Sequence, residues 1–295
     1  MQTKKLNPWQ WWDKETITAW LFLAPALFFL GVFVFYPITY LLYLSFTTGS
    51  FTQTGEQWVG LRNYLRLVVD PDFGQVIGNT IYFTLATVIP SVILPLIIAV
   101  LLNQSIALRG LLRTVYFLPS IISLVAVGLG FRWLFQNQGP INDLLINLGV
   151  DSINWLNNPS WAMPVLIILS TWQQIGFNMV VFLAGLQAIP QIRYDAAELD
   201  GANGLAKFLY VTLPGLRPTL LFTTIITLIF TLRSFEQVYV VTGGGPLNST
   251  NILVYYIYEE AFARFDFGYA AAAATILLMV TLVLVYFQLR LRVDD

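Results

Sequence analysis

Six long apolar segments separated by polar connections dominate the chain: Thr18–Phe46, Val76–Leu102, Thr114–Phe135, Ala162–Leu186, Leu216–Phe235 and Gly268–Leu289. A helix needs roughly 20 apolar residues to cross a hydrocarbon core about 30 Å thick, and each segment reaches that length. Tilt absorbs the surplus in the longer ones. The pattern predicts an all-α, polytopic membrane protein of six transmembrane helices. Pro25, Pro37, Pro90, Pro95 and Pro119 fall in or at the ends of these spans. The carbonyls they free can be taken up by neighbouring helices, so they do not argue against helix. The opening stretch MQTKKLNPWQWWDKE precedes an apolar run from Ile17 to Phe46. A signal peptide has an apolar region of about 7–15 residues ending at a small-residue cleavage site. This run is too long and has no such site, so it reads as a retained helix. Trp9, Trp11, Trp12 and Trp20 fit an interfacial belt at its start.

Composition narrows the class. The 295 residues are 57% hydrophobic and 11% charged, where a soluble domain carries about 25% charged residues. Mean hydropathy is +0.70. A net charge of −1 offers no basic field for nucleic acid. With no Cys and no His, the chain lacks disulfides, thiolate nucleophiles, imidazole bases and the usual soft metal ligands. No metal site is expected, and an enzyme would be left with carboxylates, Ser, Lys or Tyr. No Asp, Glu or Lys lies mid-span, which weighs against a proton-coupled carrier. Lys4, Lys5, Lys14, Arg109, Arg113, Arg193, Lys207, Arg217, Arg290 and Arg292 fall on one side, against Arg62, Arg66 and Arg264 on the other. This bias predicts cytoplasmic termini: a cytoplasmic segment 1–16, a six-helix domain 17–290 and a cytoplasmic tail 291–295. Arg132 and Arg233 sit near outer ends of spans, where snorkelling to headgroups is the plain reading.

The connection between spans four and five carries the most specific signal. In AIPQIRYDAAELDGANGLAKFLYVTLPGLRP, Ile192, Ala196 and Leu199 make a helical stripe over Gln191–Asp200. Gly201 with Asn203 and Gly204 reads as a helix stop. A second helix is expected over Leu205–Thr212, with Pro214 in the first turn of span five. A solvated amphipathic linker would have this composition too. The string, however, resembles the EAA loop of ABC importer permeases, at about residues 191–214. Asp195-Ala196-Ala197 stands for EAA, Gly201 follows at the family offset, and Val211, Leu213 and Pro214 close the pattern. Asp200-Gly201-Ala202 matches the form found in sugar permeases. Asp195 in place of Glu and Val211 in place of Ile are conservative departures.

The resemblance extends to MalF- or UgpA-like permeases of carbohydrate importers over about Ala19 to Leu289. Its marks are the turn Thr242–Pro246, the aromatic helix Tyr255–Phe262 and Phe267–Ala272 at the last span. It implies the type I importer permease fold and a subunit without catalysis of its own, in the bacterial inner membrane. It implies a MalG-like second permease, two ATP-binding subunits and an extracytoplasmic solute-binding protein, with the chain itself held in membrane lipid. ATP and Mg²⁺ would belong to the ATPase; the chain has no phosphate-binding loop of its own. In the family the EAA loop docks on the ATPase. Here small Ala196, Ala197 and Gly201 allow close approach, Asp195 and Glu198 offer charge-assisted contacts, and the resemblance adds Asp200, Ala202 and Pro214 to the docking set.

A sugar site needs hydroxyl-matching groups and aromatic faces. Gln173, Gln174, Phe177 and Asn178 form the dense polar-aromatic group of span four, with interhelical hydrogen bonding as the competing reading. Thr231, Arg233 and Ser234 align with the solute-contacting stretch of the maltose permease, which carries consecutive Asn residues there. Arg233 can bond a polyol, hold a phosphate, or pair with Glu236. Ser120 and Ser123 near Pro119 are further candidates. The expected solute is a neutral glycoside, either an oligosaccharide or a compatible solute such as glucosylglycerol or trehalose. Glycerol 3-phosphate is the alternative.

Overall fold

The structure is a computed structural model that describes residues 14–49, 57–104 and 107–293. Lys4, Lys5, Trp9, Trp11, Trp12 and the final residues 294–295 lie outside the described residues. Among those described, every regular element is helical, and Thr47 and Trp58 form an isolated antiparallel bridge.

The first span, α1 (Thr16–Ser45), runs through Pro25 and a π turn at Gly31–Phe35. Its most apolar stretch has no buried residue. Tyr36–Ser45 packs against the last span. Asn63 then ties its end down, donating to the carbonyls of Ser45 (3.0 Å) and Thr47 (2.8 Å) from the short helix α2 (Arg62–Val69). Asp70 caps the next helix, α3 (Pro71–Leu102), accepting from the Asp72 N–H, and Pro71 occupies a first-turn position that needs no donor.

The third apolar segment departs from expectation. Instead of one straight helix it forms α4 (Arg109–Ile121) and α5 (Leu124–Leu134), bent by 95° across Ile122 and Ser123, whose backbones are not helical. After the short α6 (Pro140–Asn147) comes α7 (Pro159–Ala188), whose 30 residues contain the expected fourth span. The fifth is also broken. A helical stretch α9 (Gly204–Gly215) meets α10 (Arg217–Leu232) at 66°. Pro214 therefore lies on the near side of the bend, and Pro218 takes the first-turn position of α10. α10 stops at Leu232, short of Phe235, and helix resumes only at Glu236, running into a π turn at Val238–Thr242. The aromatic helix α11 (Leu253–Tyr258) and the last span α12 (Phe267–Val293) complete the chain.

The core is stacked in three tiers. At one end Leu67, Phe73 and Val76 pack with Leu253, Tyr256, Tyr269 and Ala272. In the middle Phe83, Val127, Leu166 and Leu169 meet Val238 and Ile252. At the other end Ala99 and Leu102 meet Met179, Phe182, Leu186 and Leu216. Hence α3, α7 and α12 run one way and α10 returns, with the α7–α10 connection at the end opposite α2. Lipid tails are as apolar as Leu, so close packing and hydrogen bonds, rather than exclusion from water, hold such helices together. The buried run Ala270–Ala273 on α12 serves that packing.

Two tight contacts set the middle of the bundle. Pro95 has no N–H to give the Ser91 carbonyl one turn earlier. Asn178 of α7 supplies it, donating to Ser91 O at 2.6 Å and to Thr227 Oγ1 on α10 at 3.0 Å. At Gly176 a Cβ would lie 2.5 Å from the Tyr116 carbonyl and 2.6 Å from Phe117 Cα. Only glycine lets α4 cross α7 this closely. The Ser120 hydroxyl exploits the contact, donating to Gln173 O (2.8 Å) and accepting from Phe177 N (3.2 Å).

Candidate translocation cavity and coupling segment

A cavity of about 490 Å³ opens beside this crossing, where α4, α7 and α10 meet the breaks in the third and fifth segments. Gln173, Gln174, Phe177 and Asn178 line it from α7, and Phe230, Arg233 and Ser234 from the end of α10. Irregular backbone at membrane depth is tolerated where it borders a cavity, because its free polar groups then find partners there. Both interruptions follow that rule, with Ser120 and Leu124 flanking the first and Arg233 and Ser234 at the second. A hollow of about 520 Å³ on another side of α7 and α10, lined by Val181, Ala184, Phe222 and Leu289 with only Thr219 and Gln288 polar, gathers no such set.

The residues singled out from the sequence differ in role. Gln173, Gln174 and Phe177 face the cavity, with Phe177 43% exposed. Asn178 borders it but is 2% exposed, and its amide N–H groups are spent on Ser91 and Thr227. Interhelical bonding thus accounts for it. Thr231 is fully enclosed, donating to Thr227 O at 2.8 Å and accepting from Gln174 at 3.5 Å, and is not part of the wall. Ser234 bonds back to Phe230 O at 3.5 Å. Ser120 lines the cavity while bridging α4 to α7; Ser123 stays outside the lining. Among the described residues no ion pair joins Arg233 to Glu236. Both side chains line the cavity.

Sequence reasoning missed Glu236 and Gln237 as wall residues. Gln237 is 3% exposed; its amide donates to Ser170 Oγ at 3.3 Å, and its Oε1 has no donor. A buried acceptor left open beside a cavity is matched to a hydroxyl or amide donor. Helix stops at Leu232 and resumes at Glu236, which lies beyond the end expected for the fifth span. A continuous fifth span would have put Gln237 one turn beyond Arg233, on the same face.

At the opposite end lies the segment between α7 and α10. Helix α8 (Gln191–Leu199) closes with Ala202 N bonded to Ala197 O (2.9 Å) and Gly201 N to Glu198 O (3.0 Å). That is a Schellman stop, with Gly201 at φ +78° as its left-handed residue. Asn203 accepts from Ala206 N at 2.9 Å and starts α9. The Lys207 ammonium meets Glu198 at 2.6 Å, bracing the two limbs, and this hydrogen bond holds the Glu198 carboxyl below its usual range. The expected stripe points outward: Ile192 is 74% and Leu199 91% exposed. Asp195, Ala196 and Asp200 are exposed beside it, Ala197 and Ala202 are half-buried, and Pro214 is exposed. The segment is thus a braced, partly apolar surface that stays exposed among the described residues.

The chain is thus a helical bundle with broken helices around a polar cavity and an exposed, braced segment at the opposite end. Residues 91–294 match the family of binding-protein-dependent transport system inner membrane components, and the chain belongs to that family. It is 39% identical over 279 residues to the lactose transport system permease protein LacF of Rhizobium radiobacter, covering 92% of this chain and 93% of that one. It is 34% identical over 292 residues to the sulfoquinovosyl glycerol transport system permease protein SmoG of Agrobacterium fabrum, with 98% and 95% coverage. Its fold matches a chain of a bacterial alginate ABC transporter, crystallised in complex with an alginate pentasaccharide-bound periplasmic protein. The TM-score is 0.82 and the identity 25%, over 94% of this chain and 95% of that chain. The chain is a multi-pass carbohydrate ABC importer permease.

Proposed function

We propose that this subunit passes a neutral, polyhydroxylated glycoside, an oligosaccharide or a small glycosidic compatible solute, through the cavity between α4, α7 and α10. The observation that carries this is the charge of the wall: Arg233 is accompanied by Glu236, so the lining holds one cation and one anion. A phosphate ester would meet the carboxylate as well as the guanidinium, whereas a polyol can donate to Glu236 and Gln237 and accept from Arg233, Gln173 and Gln174. Phe177, Phe117 and Phe230 offer apolar faces. A volume near 490 Å³ lies within the roughly 300–1,000 Å³ of small-molecule sites. The names of the relatives, lactose for one and sulfoquinovosyl glycerol for another, support a glycoside.

Transport is driven from outside the chain. A second permease completes the pathway, two ATP-binding subunits carry ATP and Mg²⁺, and an extracytoplasmic binding protein delivers solute. The surface of α8 and α9 docks on the ATPase, whose closure shifts the permeases toward the outward-open state. Asp195, Glu198 and Asp200 present carboxylates there, and Ala196, Ala197, Gly201, Ala202 and Pro214 shape the contact. Both termini and this surface are cytoplasmic in this reading. Cysteine at Leu247, which is 85% exposed, should then react with an impermeant reagent from outside, and cysteine at Leu205 only from inside.

The solute test is uptake of labelled compounds by the complex carrying Arg233→Gln. A neutral glycoside should lose about 1–2 kcal/mol of apparent affinity, one weakened hydrogen bond. A phosphate ester should lose uptake altogether, and a phosphate ester as sole substrate overturns the proposal.

A further inference from the structure

At the end of the bundle away from the coupling segment, a polar cleft of about 430 Å³ lies between α2 and the start of α12. Three arginines line it, Arg62, Arg66 and Arg264, with Asp266 as the one carboxylate of the lining. Arg66 pairs with Asp266 at 3.0 Å and lies over the Tyr269 ring, 4.4 Å from its centroid. Arg264 is held by Glu260 at 2.7 Å, a carboxylate enclosed behind the cleft. Asp70 sits behind it too, its carboxylate taken by the hydroxyls of Tyr269 and Tyr256. Arg62 forms no ion pair among the described residues. The cleft thus keeps an open guanidinium beside two that are already oriented.

Helix α2 has three faces at 100° per residue. Asn63 and Leu67 point into the bundle and are buried. Arg62 and Arg66, one turn apart, border the cleft. Leu61, Leu65, Val68 and Val69 fall together on the third face and are exposed, Val68 by 82% and Val69 by 77%. Exposed Trp58, stacked on Phe46 with centroids 5.3 Å apart, lies just before it. An apolar face flanked by arginines and a tryptophan is how a short helix lies in the headgroup layer.

We propose that this cleft binds the phosphodiester of an anionic phospholipid, whose acyl chains lie along the Leu61–Leu65–Val68–Val69 face. Arginine matches phosphate oxygens with a planar fork of donors. A phosphodiester supplies the anionic partner that Arg62 lacks among the described residues. The apolar face beside the cleft favours a lipid over an acidic protein surface, which would leave Val68 and Val69 uncovered.

The test is retention of added phosphatidylglycerol against phosphatidylcholine by the delipidated, detergent-purified complex, read by native mass spectrometry. Neither solute nor ATP is present, so the outcome is independent of the solute reading. The complex should prefer phosphatidylglycerol; Arg62→Gln should reduce that preference about fivefold, the effect of one surface arginine, and Arg62→Lys should keep most of it. Should Arg62→Gln not fold, Leu65→Asn should likewise reduce retention by wetting the apolar face. Equal retention of both lipids by the parent overturns the proposal. So does an unchanged preference in the folded variants, including the case where Arg62→Gln weakens only the binding protein's affinity.

Discussion

Removing the Asn178 amide tests whether this side chain serves the helix or the solute. Asn178→Ala deletes two interhelical hydrogen bonds, to Ser91 O and Thr227 Oγ1. Such bonds average about 0.6 kcal/mol each inside membranes. The Ser91 carbonyl would also be stranded, because Pro95 cannot donate to it, and an unsatisfied buried acceptor costs about 1–3 kcal/mol. The total is about 2–4 kcal/mol, plus a small void. Pro95→Ala restores a backbone N–H one turn after Ser91, so in that background the stranded-carbonyl cost vanishes. Asn178→Ala should then cost about 1 kcal/mol plus the same void. The cycle of parent, two single variants and the double variant, monitored by equilibrium unfolding in mixed micelles, should show a coupling of about 1–3 kcal/mol. The void is common to both backgrounds and cancels. Additive effects would refute the assignment of Asn178 to the proline-freed carbonyl. If Asn178→Ala changed solute affinity with stability unaltered, the interhelical role would fall altogether.

Three further outcomes are expected. Gly176→Ala forces α4 off α7, and the thermal unfolding of the purified complex should report a loss of about 1–3 kcal/mol from overpacking; parent-like stability would contradict the close crossing. Gly201→Leu should insert normally yet uncouple solute-stimulated ATP hydrolysis, since its left-handed backbone costs a non-glycine residue roughly 1–2 kcal/mol and the side chain obstructs docking, while Gly201→Asn should stay nearer the parent; equal hydrolysis in the Leu variant and the parent argues against the coupling role. Burial raises the Glu260 carboxyl above its ordinary range although Arg264 pulls the other way, so the folded state binds this proton more tightly than the unfolded one. Its contribution to stability is therefore fullest below the unfolded pKa and declines as pH rises through the raised one. Glu260→Gln should flatten that part of the stability-against-pH curve, and an unchanged slope would count against it.

The existence of the membrane bundle and of the helix–turn–helix between α7 and α10 could be read from the sequence alone, for physical reasons. A span is a local property, about 20 apolar residues without charge, and all six segments contain helix where expected. The bend between α8 and α9 was legible because its stop is local too: Gly201 adopts the left-handed conformation and Asn203 caps α9. Tertiary structure decided what apolar runs cannot encode. Whether the run around Pro119 bends by 95° depends on α7 presenting Gly176, so that α4 crosses it and Ser120 joins both helices. Whether Asn178 faces a solute or a proline-freed carbonyl depends on the register of α7 against α3, two helices separated by more than fifty residues. Glu236 joined the cavity wall where helix breaks at Arg233 and resumes, a break that the apolar run does not mark. Likewise, Arg62, Arg66 and Arg264 read as scattered charges until the start of α12 is set beside α2. Hydropathy is written residue by residue, whereas a cavity wall is made by pairs of helices.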